Sequence, residues 1–104
     1  QEGLLTRVRR LLLARPGDFP DLEQAARELH TSGRSLRRHL SSLGTTYQQV
    51  LDDVRKRLAL QYLTTTQLPL YEIALLLGFN DSSNFRRAFR KWTGKLPSDY
   101  REAP

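Results

Sequence analysis

The chain has 104 residues, no cysteine and a formal charge of +6, with a pI near 10.3. That length allows one compact unit or two very small ones, and the missing cysteines exclude disulfides and thiolate metal sites and fit a reducing cytoplasm. No apolar run approaches the ~20 residues of a membrane span, and the start lacks a signal peptide, so no membrane role is expected.

Arginine supplies most of the positive charge, and its planar fork suits phosphates and guanine edges in a way lysine's point charge does not. Charge alone leaves nucleic acid and a merely solvated basic surface as open alternatives. The opening residue is Gln1 and not Met, which suggests a fragment of something longer.

Leu4, Val8, Leu11 and Leu12 recur at helical period, and the pattern stops at Pro16-Gly17. Asp21 with Gln24 forms a capping box for a second helix that carries Leu22, Ala25, Ala26 and Leu29 on one face. Ser32 caps a third helix with Leu36, Leu40 and Leu43 inward, and Gly44 ends it. The longest helix runs from about Thr46 to Leu63. Its predicted buried stripe is Tyr47, Val50, Leu51, Val54, Leu58 and Tyr62, its predicted outer face Asp52, Asp53, Arg55, Lys56 and Arg57, and Thr64-Thr65-Thr66 its frayed end.

Pro69 starts a fifth helix containing Leu70, Ile73, Ala74 and Leu77. After Gly78-Phe79, Asn80 and Asp81 cap a sixth helix with Phe85, Ala88, Phe89 and Trp92 inward, ended by Gly94. Pro97 and Ser98 open a short last helix through Tyr100. No segment alternates like a strand, so the predicted fold class is all-α, with about seven helices.

The chain also repeats itself. Leu22, Ala26 and Leu29 recur 48 residues later as Leu70, Ala74 and Leu77. The stretch Leu36 to Leu40 recurs 49 residues later as Phe85 to Phe89, and the extra residue falls in the intervening turn. Each copy is a short helix, a tight turn and a second helix with outward arginines, which is the helix-turn-helix pattern. A small alanine in the first helix allows a close crossing, and the second helix needs only one apolar side because the other must enter a major groove.

Helical phase selects the outward residues. With the leucines inward, Arg34, Arg38 and Ser41 point away and Arg37 flanks them. In the second copy Ser83, Arg87 and Arg90 point away, flanked by Asn84 and Arg86. The predicted organisation is therefore a first helix-turn-helix subdomain over 1–45, a linker helix over 46–64 and a second subdomain over 65–104.

The segment GFNDSSNFRRAFRKWTGKLPSDYR, Gly78 to Arg101, preceded by Ile73-Ala74, resembles the signature of the AraC/XylS family of transcription regulators. The resemblance covers essentially the whole chain. Asn84 and Leu96 depart from it, standing where the family more often has an aromatic residue or His and a small residue. It implies two recognition helices in successive major-groove segments of promoter DNA. Arg34, Arg37 and Arg38 match contacting positions of the first reader, and Ser83, Asn84 and Arg87, with Arg86 beside them, those of the second. It further implies activation through RNA polymerase, and an additional N-terminal domain for effector binding and dimerisation outside this chain.

Arg38 and Arg87 are the expected guanine readers, and Asn84 is suited to adenine. At about 27 Å, the long helix approaches the ~34 Å between major-groove faces one turn apart. No enzyme or cofactor is expected: His30 and His39 have no nucleophile or ligand set beside them. A protein-interaction or membrane-surface role for the basic first helix, with Arg7, Arg9, Arg10 and Arg15, is the rival. RNA is disfavoured because Phe85, Phe89 and Trp92 phase inward.

Overall fold

Three caps visible in the sequence set helix boundaries in the computed structural model, which describes residues 3–101. Asp21 accepts from the Gln24 backbone N–H at 2.8 Å and its own N–H donates to the Gln24 side chain at 3.1 Å, completing the capping box. Ser32 accepts from Ser35 N–H at 3.1 Å and Asp81 from Asn84 N–H at 2.8 Å. Gln1, the residue behind the expectation of a longer chain, lies outside the described residues.

Among those residues there are seven helices and no strand: α1 (Leu4–Leu13), α2 (Leu22–Glu28), α3 (Gly33–Ser42), α4 (Tyr47–Thr65), α5 (Leu70–Leu76), α6 (Ser82–Thr93) and α7 (Pro97–Arg101). The chain divides into two compact units, Gln1–Val54 and Arg55–Pro104, with the boundary inside α4.

In the first unit α3 packs on α1 and α2. Val8, Leu12, Ala25, Leu36 and Leu40 are fully buried, and Ala26 nearly so. Each buried Leu or Val contributes roughly 1.5–3 kcal/mol. The small Ala25 and Ala26 let α3 come close, as expected from the sequence.

In the second unit α6 packs on α5 and α7, around Ala59, Leu63, Ile73, Ala74, Leu77, Phe85 and Phe89. Phe89 makes edge contacts with Trp92 and Tyr100 at centroid distances of 6.4 and 5.5 Å. The Arg55 guanidinium lies over the Phe79 ring at 4.7 Å and near Trp92 at 5.7 Å.

The structure corrects several sequence expectations. Leu43 is 53 % exposed: it is the C-cap of α3, where the chain has left helical geometry and the phase argument no longer applies. The buried register of α4 changes along its length. Val50 and Val54 are buried as expected, but Ala59 and Leu63 then take the core positions, and Leu58 and Tyr62 are only partly buried.

The charged face of α4 is likewise less open than its composition suggests, since only Arg57 of its five charges is exposed. Nor does α4 fray at its threonines. The hydroxyls of Thr64, Thr65 and Thr66 donate to the carbonyls of Leu60, Gln61 and Tyr62 at 2.8, 2.6 and 2.6 Å.

Candidate nucleic-acid interface

Each unit builds one helix-turn-helix, and the two turns repeat bond for bond. In the first, Leu29 ends α2 and His30 takes a left-handed φ of 60°. Thr31 N–H then reaches back to the Ala26 carbonyl at 2.9 Å, and His30 N–H to Arg27 at 3.1 Å. In the second, Gly78 has φ 86°, Phe79 N–H reaches Ala74 at 2.9 Å and Gly78 N–H reaches Leu75 at 3.0 Å. Both are left-handed C-caps that satisfy the last carbonyls of a short helix while turning the chain. The extra residue of the second copy is Asn80, immediately before the Asp81 cap.

The turn launches the second helix with its apolar side against the first. Leu36 and Leu40 in α3 are fully buried, as are Phe85 and Phe89 in α6. The other side is consequently free. Arg34, Arg37 and Arg38 on α3 are exposed, and so are Ser83, Asn84, Arg86, Arg87 and Arg90 on α6. Neither helix contains an acidic residue, so nothing within the helix neutralises these guanidinium groups.

The surroundings differ from residue to residue. The side chains of Arg34 and Arg38, one helical turn apart, make no hydrogen bond or ion pair among the described residues. Arg37 borders a cavity of about 550 Å³ whose walls include Phe19, Leu22, Tyr47 and Leu51. Beside it the Tyr47 hydroxyl donates to the Pro20 carbonyl at 2.5 Å. Burial, reinforced by the Asp21 and Glu28 carboxylates and opposed by Arg15, pushes the Tyr47 pKa up to about 12.

On α6, Arg87 Nη1 donates to Asn84 Oδ1 at 3.0 Å. On the edge formed by α1, Arg15 is paired with Glu28 at 2.5 Å, while Arg7 and Arg10 are exposed. Among the described residues no charged side chain is buried, and no helix is long and apolar enough to cross a membrane.

Sequence reasoning missed the residues that brace this arrangement. Arg101 donates to the carbonyls of Leu63 at 3.3 Å, Tyr62 at 3.2 Å and Thr66 at 3.0 Å, and also to that of Leu68. It thereby satisfies carbonyls at the C-terminal end of α4 with a cation, which suits the negative end of the helix dipole. Its only sequence signal is its place in the terminal Tyr-Arg of the family signature.

Comparison with known proteins agrees with this architecture. The model of a helix-turn-helix domain family matches residues 25–103. The transcriptional regulator VqsM of Pseudomonas aeruginosa is 35% identical over 101 residues, covering 97% of this chain and 31% of that protein. The urease operon transcriptional activator of Escherichia coli is 32% identical over 94 residues, covering 90% of this chain and 32% of its own length. The chain thus spans about a third of these curated relatives.

Among solved structures, the DNA-binding domain of the global transcriptional factor AdpA, crystallised with a target DNA, superimposes with a TM-score of 0.82. It is 29% identical, and the match covers 96% of this chain and 91% of that one. With a duplicated turn, two cationic helix faces and these relatives, the chain belongs to the AraC/XylS family of helix-turn-helix transcription regulators.

Proposed function

We propose that this chain reads promoter DNA as a two-part site, with α3 and α6 entering successive major-groove segments. One observation carries the reading: the same helix-turn-helix occurs twice, and both times its second helix bears exposed arginines and no acid. Arg38 and Arg87, equivalent in the repeat, contact guanine bidentately, each contributing about 1–3 kcal/mol of discrimination. Arg34, Arg37, Ser83, Arg86 and Arg90 complete the interface at bases and neighbouring phosphates, with Asn84 on the same face beside Arg87.

Phosphate contacts supply most of the affinity and the groove contacts the selectivity. The division into subdomains at 1–45 and 65–104 with a linker helix at 46–64 belongs to this reading, since each subdomain then carries one reader. Within a longer bacterial, cytoplasmic protein, DNA binding by this chain activates transcription through RNA polymerase, under an N-terminal effector-binding and dimerisation domain. The AdpA–DNA complex supports the DNA partner and the urease operon activator supports the regulatory sign.

Selection of the domain against random duplex DNA tests the proposal. The expected result is two conserved boxes with centres about 10–10.5 base pairs apart. Affinity for that site falls by about 10³–10⁵ between 50 and 200 mM salt if roughly 6–10 phosphates are contacted. Moving the boxes apart by half a helical turn abolishes the tight binding. No enrichment from a folded sample at low salt refutes the function, and a flat salt response refutes the phosphate contribution.

A further inference from the structure

The two reading faces share a plan but differ at one matched position. In α6 the Arg87 guanidinium donates from Nη1 to Asn84 Oδ1 at 3.0 Å. The residues are three apart, which makes them neighbours on the helix surface. Asn84 is itself anchored, because its backbone N–H donates to the Asp81 carboxylate at 2.8 Å in the capped first turn. In α3 the residues matching Asn84 and Arg87 are Ser35 and Arg38. A serine hydroxyl is too short to hold a guanidinium three residues on, and Arg38 makes no side-chain hydrogen bond among the described residues.

Arginine has more rotamer freedom to lose on binding than almost any other side chain. A guanidinium held in advance loses less of it, and is held in one orientation. One N–H of Arg87 is engaged by Asn84 and the others stay available, so the fork that spans guanine O6 and N7 is intact. An asparagine that reads adenine uses both ends of its amide, Oδ1 accepting from N6 and Nδ2 donating to N7. Here the Oδ1 end is turned to Arg87.

We propose that Asn84 is a positioning residue for Arg87: it orients the guanidinium toward one base pair and sharpens the preference there, without reading a base of its own. This rests on the assignment of Arg87 as a base reader. It makes the second box more strictly specified at that base pair than the first box is at the base pair read by Arg38.

Selection from random duplex DNA, scored base by base, tests it with the unmodified domain, Arg87→Ala, Asn84→Ala and Asn84→Asp. Aspartate keeps an acceptor oxygen for Arg87 but has no N–H to offer a base. Arg87→Ala is expected to erase the preference at one base pair. Asn84→Ala weakens the preference at that same base pair by about 3–10-fold, the equivalent of one net hydrogen bond. It leaves the preferences at the other positions unchanged, which a general loss of helix structure would not. Asn84→Asp keeps the preference while its charge lowers affinity for all sequences alike.

If Asn84→Ala instead alters a different base pair, or Asn84→Asp loses the preference as alanine does, Asn84 reads DNA itself and the positioning role is overturned. If Arg87→Ala changes no position, the assignment of Arg87 fails and the inference falls with it.

Discussion

The first unit closes its helix pair with aliphatic side chains, Leu36 and Leu40 of α3, where the second uses Phe85 and Phe89 of α6 at the same positions. Around the phenylalanines stand Phe79, Trp92 and Tyr100, in contacts with centroid distances of 5.5 to 6.4 Å. Arg55 stacks on this cluster, and Arg101 ties α7 to the carbonyls at the end of α4. In the first unit the Tyr47 hydroxyl bonds the Pro20 carbonyl and Arg15 pairs with Glu28, beside a cavity of about 550 Å³ that Arg37 borders. Yet the turns agree to within 0.1 Å in the matched bonds from residues 31 and 79 and from 30 and 78. Turn and cap chemistry therefore sets the motif, while the core filling sets how firmly each copy is held. The copy with the aromatic core carries the reading face in which Arg87 is bonded to Asn84.

The sharpest way to break this comparison is to empty the aromatic core. Phe89→Ala should cost about 3–5 kcal/mol, the range for deleting a buried ring. Trp92, the chain's one tryptophan, reports the second unit by fluorescence during urea unfolding. If the loss were no larger than that of Leu40→Ala measured by hydrogen exchange in α3, the aromatic cluster would not be the firmer core. Arg101→Met should cost about 2–3 kcal/mol, since it removes charged hydrogen bonds and strands partly buried carbonyls. The expected signature is faster hydrogen exchange near the C-terminal end of α4. Unchanged exchange there would remove Arg101 as a brace.

What could be read from the sequence was local. Asp21 with Gln24, Ser32 with Ser35 and Asp81 with Asn84 each involve partners three residues apart, so a cap is written in one short stretch. The outward placement of Arg34, Arg38 and Arg87 followed from helical phase alone. The braces were not legible for the opposite reason: Arg101 bonds carbonyls 33 to 39 residues earlier, and no pattern near residue 101 names them. In α4 the phase argument failed because it assumed one buried stripe, whereas Val50 and Val54 belong to one unit and Ala59 and Leu63 to the other. The bond from Arg87 to Asn84 lies between, since its spacing was visible but its rotamers were not.

Alkali should sharpen the contrast, because Tyr47 belongs to the first unit. Its folded pKa of about 12 lies above the ordinary 10.0, so the protonated phenol is favoured by folding. The stability it contributes is complete below pH 10 and is lost as pH rises toward 12. Tyr47→Phe should cost about 1 kcal/mol at neutral pH through the lost bond to the Pro20 carbonyl. The variant should then lose less helix than the parent between pH 10 and 12, by circular dichroism. Parallel curves for parent and variant would mean that Tyr47 does not report the first unit.

The smallest expected effect bears on the turn, the part the two units share. His30 and its counterpart Gly78 both sit at positive φ, 60° and 86°, which glycine adopts freely and a residue with a Cβ does not. Left-handed backbone costs a non-glycine residue roughly 1–2 kcal/mol. Glycine in its place gives back about 0.4–1 kcal/mol through the entropy of the unfolded chain. His30→Gly should therefore stabilise the first unit by a few tenths to about 1 kcal/mol, and Gly78→Ala should destabilise the second by a similar amount. Both are measurable as shifts in the urea midpoint at constant slope. A loss of stability in His30→Gly would show that the histidine side chain makes the first turn more than a copy of the second. A gain, with the selected DNA sequence unchanged, would mean that the first reader tolerates a suboptimal turn because the caps on either side of it already fix α3.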